Sequence, residues 1–157
     1  MKKTRLAFLL LAVAVTAAGC ARAPHPTAAY SSGREVYEPL VRHYARANNV
    51  PVDLALAVIQ NESSFNPAAT GAVGEVGLMQ LRLTTAQQMG YRGTVQQLYD
   101  PATNIAYGMA YLGAAYHAGG RTVCGTMMKY QGGLANNRET DSTRLACQRV
   151  TALMRAA

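Results

Sequence analysis

Hydrophobic and polar positions beyond residue 33 follow a mainly helical period. Between residues 34 and 48, Val36, Leu40, Val41 and Tyr44 recur at the spacing of one helix face. Pro51 suits a first helical turn, and the apolar stretch VDLALAVIQNES after it predicts a second helix. Further helices are predicted at 84–89, 101–117, 123–130 and 141–154. No stretch alternates for long with the period of a strand, so the predicted fold class is mainly α.

Glu62 stands out within the second predicted helix. Its spacing from Ala55, Val58 and Ile59 places all four residues on one face, and the apolar neighbours make that face the inward one. Burial disfavours a charged carboxylate, so we expect a raised pKa and a protonated carboxyl near neutral pH. Such a group is suited to general acid catalysis. The alternative is an exposed glutamate at a frayed helix end.

The first 20 residues have the pattern of an export signal. Basic residues at positions 2, 3 and 5 precede an apolar run over 6–15, which is too short for a membrane-spanning helix of roughly 20 residues. The end of the segment resembles the lipobox of bacterial lipoproteins, in which Cys20 is acylated, although Ala17 stands where that pattern usually has leucine. Ordinary cleavage and release to the periplasm stay open as the alternative. We therefore predict a signal peptide over 1–19.

The composition supports one domain behind a short tether. Residues 20–33 are rich in proline, alanine, serine and glycine, which favours a tether to the membrane, and the domain is expected over 34–157. The chain of 157 residues is 50% hydrophobic and 15% charged, as in a single packed domain. Its net charge of +7 falls to +4 without the signal peptide, with 12 basic against 8 acidic residues. Basic residues do not cluster, so we expect no nucleic-acid partner, and an anionic cell wall or membrane surface fits better.

The three cysteines are interpreted as one lipid-bearing residue and one pair. If Cys20 carries the lipid, Cys124 and Cys147 are left as a pair in an oxidising compartment, where we expect a disulfide. Without acylation, an exported protein would carry an unexplained thiol. The cysteine spacing excludes a zinc finger and a Cys-x-x-Cys redox motif, and the three histidines lie far apart in sequence. We expect no metal and no cofactor.

Several short motifs resemble one family, the lytic transglycosylases of the soluble-lytic-transglycosylase type, with a goose-lysozyme-like fold. They span roughly residues 36 to 135 and stand in the order of that family. The matching stretches are Glu62-Ser63-Ser64-Phe65-Asn66-Pro67, Gly77-Leu78-Met79-Gln80, Thr85-Ala86, Asp100-Pro101-Ala102-Thr103-Asn104-Ile105, Gly108-Met109-Ala110-Tyr111-Leu112 and Tyr130-Gln131-Gly132-Gly133.

The resemblance implies cleavage of the β-1,4 bond between N-acetylmuramic acid and N-acetylglucosamine in peptidoglycan. Glu62 would protonate the glycosidic oxygen and then take the proton of the muramoyl C6 hydroxyl, which closes a 1,6-anhydro ring. One carboxyl group then suffices, whereas most glycosidases need two. The alternatives are a muramidase that uses water and a catalytically inactive peptidoglycan-binding scaffold lipoprotein. In its small size the chain resembles family members that open the wall locally for a secretion or conjugation machine. We expect the protein to face the periplasm from a lipid anchor in the outer membrane.

The same resemblance assigns the other site residues. Tyr130 would place its hydroxyl near Glu62 and help to hold the acid or the reacting sugar, with a core tyrosine as the alternative. The substrate-binding residues would be Ser63, Met79, Gln80 and Gln131. Met79 is equally compatible with plain core packing. Asn104 and Ile105 are interpreted as structural.

Some positions depart from the family pattern. Gly71 stands where a serine near the acid is usual, and Thr70 is considered as its substitute. Gln131 and Gly132 replace Asn-Ala, and Leu83 replaces a proline. Glu75 takes the place of a small residue within the predicted loop over 66–77. We interpret Glu75 as a solvated loop charge; the alternative is a second carboxylate that stabilises an oxocarbenium ion or activates water.

Overall fold

A computed structural model of the chain describes residues 27–156, and its side chains from residue 33 onward. The predicted signal peptide and Cys20 therefore lie outside the described residues. Over the described part the mainly α class is confirmed, with only two isolated bridges, Thr70 with Val76 and Val76 with Leu81, in place of strands. The helices are α1 (Thr27–Ala47), α2 (Val52–Ser63), α3 (Leu83–Gln88), α4 (Pro101–Ala118), α5 (Val123–Gly132) and α6 (Asp141–Ala156), with a 3₁₀ turn at Gln97–Tyr99.

Helix α1 begins earlier than the sequence predicted. Residues 27–33, which were expected to belong to the tether, form the first turns of α1. No proline interrupts the chain between Thr27 and Pro39, and the alanines there favour a helix, so nothing local stops it. Among the described residues, no helix is long and apolar enough to cross a membrane.

The core forms around the apolar helices α2 and α4. Residues 54–59 of α2 are all buried, and Ile105, Met109 and Leu112 of α4 are fully buried. Asp100 caps α4 by accepting the backbone N–H of Thr103 at 2.8 Å. Helix α6 packs against both α2 and α5. This packing brings the last turn of α2 together with α5 and α6.

A disulfide joins α5 to α6, as expected from the cysteine count. It connects Cys124 to Cys147, whose Cα atoms are 4.7 Å apart. Cys147 is buried and Cys124 is exposed, so the bond runs from the surface of α5 into the packed side of α6. The two helices next to the end of α2 are thus held together covalently.

Asn104 fixes the loop that follows α2. Its side chain is fully buried, accepts the N–H of Met79 at 2.8 Å, and donates to the carbonyls of Val76 and Leu98, each at 2.9 Å. Gly77 has φ of +75°, and a Cβ there would lie 2.4 Å from the Asn104 amide nitrogen. Only glycine allows this close approach. The structural interpretation of Asn104 is confirmed, and so is that of the fully buried Ile105.

Candidate active site

Glu62 lies in the last turn of α2, where the chain bends sharply. Ser64 and Phe65 adopt left-handed φ values of 51° and 60°, and Ser64 N–H closes the helix on the carbonyl of Gln60 at 3.1 Å. Phe65 then enters the core, where it is 3% exposed. The bend ends the helix directly after the acid and leaves its side chain at the edge of a cleft.

The carboxyl group of Glu62 is half-buried and has two amide donors. Both bind the same oxygen, Oε1: Asn61 Nδ2 at 3.0 Å and Gln131 Nε2 at 3.1 Å. Burial raises the pKa of Glu62 above its ordinary value, and the negative charge of Glu75 adds to the increase. The two amide donors and the positive charge of Arg149 act in the opposite direction without cancelling the effect of burial. The acid predicted from the helix pattern is therefore found in a desolvating environment.

The cleft beside Glu62 has a volume of about 460 Å³ and is open to solvent. Residues of α2, α4 and α5, of the loop after α2 and of the first turns of α3 and α6 line it. They are Glu62, Glu75, Gln80, Leu81, Arg82, Thr85, Tyr111, Tyr130, Gln131, Gly132, Gly133 and Ser142. The lining is rich in amides, hydroxyls and charged groups, which suits a polar ligand such as a sugar chain.

Tyr130 lines the same cleft as Glu62. Its ring is 8% exposed, and its hydroxyl donates to the carbonyl of Met79 at 2.7 Å. Burial raises the pKa of Tyr130 well above its ordinary value, and the charge of Glu62 contributes to the same shift. The hydroxyl therefore stays protonated. Since its hydrogen is used by Met79, the hydroxyl oxygen remains available as an acceptor.

Two of the four residues expected to bind the substrate have other tasks. Ser63 donates to the carbonyls of Leu78 at 2.7 Å and Ile59 at 3.2 Å, and it does not line the cleft. Met79 is fully buried and lies in the core, where its sulfur fills the space above Gly108. Both side chains are thus engaged within the protein, and their expected contact with the sugar stays a prediction. Both hold the loop in place.

Gln80 and Gln131 do line the cleft, but the protein already uses their side chains. Gln80 donates to the carbonyls of Gly77 at 3.0 Å and Ala69 at 3.2 Å. Gln131 donates to Glu62. The carbonyl oxygen of each amide has no hydrogen bond among the described residues. These two oxygens are acceptors that a ligand can reach.

Glu75 occupies the space that Gly71 leaves open. A Cβ at position 71 would lie 2.4 Å from Glu75 Oε2, so the carboxylate fits only because residue 71 has no side chain. Glu75 Oε1 accepts from Arg82 Nε at 2.9 Å, and Oε2 accepts from the backbone N–H of Val73 at 3.2 Å. The Glu75 side chain is 23% exposed and lines the cleft. Glu75 is thus a loop carboxylate that faces the cleft and is paired with Arg82.

Glu75 differs from Glu62 in the direction of its pKa shift. Partial burial acts to raise the pKa of Glu75, but the backbone N–H groups and the Arg82 guanidinium outweigh it and lower the pKa. Two carboxyl groups of one cleft thus have pKa values shifted in opposite directions, which is the usual sign of different roles. Thr70, considered as a substitute for the missing serine, instead contacts the Tyr99 hydroxyl at 2.6 Å.

Sequence reasoning missed Asn61 and Arg149. Arg149 Nε donates to Asn61 Oδ1 at 2.9 Å, and the two positions are 88 residues apart. No local pattern could reveal a contact at that separation.

Among the described residues, no group of His, Cys, Asp and Glu side chains is arranged to hold a metal ion.

Comparison with known proteins identifies similar sequences. The family model described as "Transglycosylase SLT domain" matches residues 39–148. Two curated relatives, both described as membrane-bound lytic murein transglycosylase C, come from Haemophilus influenzae and Yersinia enterocolitica. They are 39% and 43% identical over an alignment of 83 residues, and each match covers 48% of this chain. The chain spans only 23% of the length of either relative.

A solved structure matches the fold. It is an inactive mutant of the lytic transglycosylase Slt from Pseudomonas aeruginosa, with a TM-score of 0.67 and 23% identity. The match covers 75% of this chain and 23% of that chain. The lysozyme-like fold expected from the sequence is therefore confirmed.

Proposed function

The chain belongs to the SLT transglycosylase domain family, as its motifs predicted, and from that premise we propose that it is a peptidoglycan lytic transglycosylase. It would cleave the β-1,4 bond between N-acetylmuramic acid and N-acetylglucosamine and form 1,6-anhydromuramic acid. The observation that carries this proposal is the half-buried Glu62, whose raised pKa makes it the acid of a polar cleft. The other carboxylate, Glu75, is ionised and paired with Arg82, so it has no proton to give.

The reaction needs one carboxyl group in two steps. Neutral Glu62 donates its proton to the glycosidic oxygen as the bond from that oxygen to C1 breaks. Its carboxylate then takes the proton of the muramoyl C6 hydroxyl as that oxygen bonds to C1. Glu62 ends protonated, and no water is consumed. The nucleophile belongs to the substrate itself, so it attacks at a high effective concentration.

The hydrogen bonds at Glu62 indicate which oxygen moves the proton. Asn61 and Gln131 both donate to Oε1. A neutral carboxyl carries its hydrogen on one oxygen only, and an oxygen that already accepts two N–H groups is the less suitable one. We therefore assign the proton to Oε2, which has no hydrogen bond among the described residues. The same oxygen would give the proton in the first step and take it in the second.

The remaining cleft residues would bind and orient the sugar. The hydroxyl oxygen of Tyr130 would accept from a sugar hydroxyl, since its own hydrogen is held by Met79. The free amide oxygens of Gln80 and Gln131 would accept from N-acetyl N–H or hydroxyl groups. In this proposal Ser63 and Met79 support the loop and do not touch the substrate.

We also propose that the protein works in the periplasm, anchored to the outer membrane by a lipid on Cys20. The support comes from the basic start, the short apolar run and the lipobox-like end of the first 20 residues. The relatives' printed names, which call them membrane-bound, agree with this location. Labelled palmitate should enter the wild type and not Cys20→Ser.

The activity is tested by digesting purified peptidoglycan and identifying the products by mass. The wild type should release anhydromuropeptides, and Glu62→Gln should release none. Glu139→Gln is the matched control, because Glu139 is exposed and lies outside the cleft. Products with reducing ends would instead indicate a muramidase. No products from the folded wild type would indicate an inactive scaffold.

A further inference from the structure

A chain of hydrogen bonds runs from α6 to the acid. Arg149 Nε donates to Asn61 Oδ1 at 2.9 Å, and Asn61 Nδ2 donates to Glu62 Oε1 at 3.0 Å. An arginine side chain can only donate, so it turns the oxygen of the Asn61 amide toward α6. The amide NH₂ must then face Glu62. The orientation of this amide is therefore determined by a residue that does not itself touch the acid.

The backbone at Arg149 is fixed even though its side chain is exposed. The next residue, Val150, is fully buried, and Cys147 two positions earlier is bound to Cys124 of α5. Helix α6 also packs against α2, which carries Asn61 and Glu62. The backbone that carries the Arg149 side chain is thus held in place beside α2.

We propose that Arg149 is a positioning residue of this site, which acts through Asn61 to occupy Glu62 Oε1 and leave Oε2 free to move the proton. The proposal rests on the function proposed above. Without Arg149, the Asn61 amide would be free to rotate and present its oxygen to the acid. An amide oxygen facing the carboxyl group would attract the proton to the wrong oxygen.

The charges around Glu62 give this arrangement a measurable signature. Arg149 faces the acid from α6, Tyr130 from α5, and Glu75 with its partner Arg82 from the loop. The positive charge of Arg149 and the Asn61 hydrogen bond both lower the pKa of Glu62 and oppose the effect of burial. Removal of either should therefore raise this pKa further, and the kcat of the double variant shows whether Arg149 acts through Asn61.

The experiment measures the titration of Glu62 directly. The chain has five glutamates, at positions 35, 38, 62, 75 and 139, so ¹³C NMR of glutamate-labelled protein is tractable, and Glu62→Gln assigns the signal. We compare Arg149→Met, Asn61→Ala and their double variant with the wild type. Arg155→Met is the matched control, because Arg155 is an exposed arginine of the same helix.

The expected result has two parts. Arg149→Met and Asn61→Ala should each raise the pKa of Glu62 and move the alkaline limb of the activity profile to higher pH. At pH values below that limb, each variant should also have a kcat roughly three- to tenfold lower than the wild type, with little change in KM. This factor is the equivalent of one net hydrogen bond. The double variant should lose little more than Asn61→Ala alone. Arg155→Met should match the wild type.

The proposal fails if Glu62 titrates in folded Arg149→Met as it does in the wild type. It also fails if Arg149→Met lowers kcat by the same factor in the Asn61→Ala background as in the wild type, since Arg149 would then act on the reaction without Asn61. Far-UV circular dichroism and the melting temperature verify that each variant is folded. The NMR titration does not depend on substrate turnover, so it tests the contact even if the proposed activity is absent.

Discussion

The space shared by residues 71 and 75 leads to a quantitative prediction about stability. Gly71 does not have a left-handed φ, so the cost of alanine at this position comes from the lack of space for its Cβ and not from backbone strain. In Gly71→Ala the new Cβ would lie 2.4 Å from Glu75 Oε2 and 2.9 Å from Gln80 Oε1. The carboxylate is the movable end of its side chain, so we expect it to swing away from Arg82 and Val73.

The cost follows from the contacts that are lost. The Arg82 ion pair is half-exposed and contributes about 0.2–1 kcal/mol, and the hydrogen bond from the Val73 N–H contributes about 1 kcal/mol. Gly71→Ala should therefore lower the free energy of unfolding by about 1–2 kcal/mol. In the Glu75→Ala background these contacts are already absent, and the same change at position 71 should cost much less.

The assay is a double-mutant cycle by equilibrium unfolding in urea. We expect a coupling free energy of about 1 kcal/mol between positions 71 and 75. Ala72→Ser, at an exposed position of the same loop, is the control and should leave stability unchanged. If the effects of Gly71→Ala and Glu75→Ala simply add within about 0.4 kcal/mol, the two positions do not compete for one space and the reasoning is refuted.

Three further predictions follow from the site and its supports. Replacing both Cys124 and Cys147 by alanine should lower the free energy of unfolding by about 3 kcal/mol, because the disulfide closes a loop with a sequence separation of 23. The Tm should fall by about 10 °C, and an unchanged Tm would contradict this. In the folded state the pKa of Glu62 is raised above 4.5, so its stabilising contribution is lost as pH rises through that pKa. The Tm of Glu62→Gln relative to wild type should therefore increase over this interval, and a pH-independent difference would refute it. In Gln131→Asn the side chain is one methylene shorter and should lose the 3.1 Å hydrogen bond to Glu62. Because that bond lowers the pKa of Glu62, the alkaline limb of the pH–activity profile should move to higher pH. An unmoved limb would show that the bond does not affect the titration of Glu62.

Local patterns predicted most of the fold because they act over a few residues. The helical period placed α2 and α4, and the inward face of α2 identified Glu62 as a desolvated acid. The start of α1 was predicted less well, because composition rich in alanine and serine is compatible with both a tether and a helix.

Contacts between distant segments could not be predicted in the same way. The pairing of Arg149 with Asn61 depends on how α6 crosses α2, and the helical period of either segment contains no information about that crossing. The position of the Glu75 carboxylate could not be predicted for a related reason. The sequence shows a glutamate in a glycine-containing loop, but only the folded loop shows its carboxylate in the space of the Gly71 side chain.

In the proposed reaction, the surroundings of Glu62 must serve two opposite protonation states. A carboxyl group that first gives and then takes a proton performs one half of the reaction poorly if its pKa is extreme. Burial and the charge of Glu75 favour the neutral acid, whereas Gln131, Asn61 and Arg149 favour the carboxylate. Because the opposing groups come from α2, α5, α6 and the loop, a change in any one of these elements alters the balance. Loss of Arg149 would move the balance toward the neutral acid, and loss of the Glu75 charge would move it toward the carboxylate.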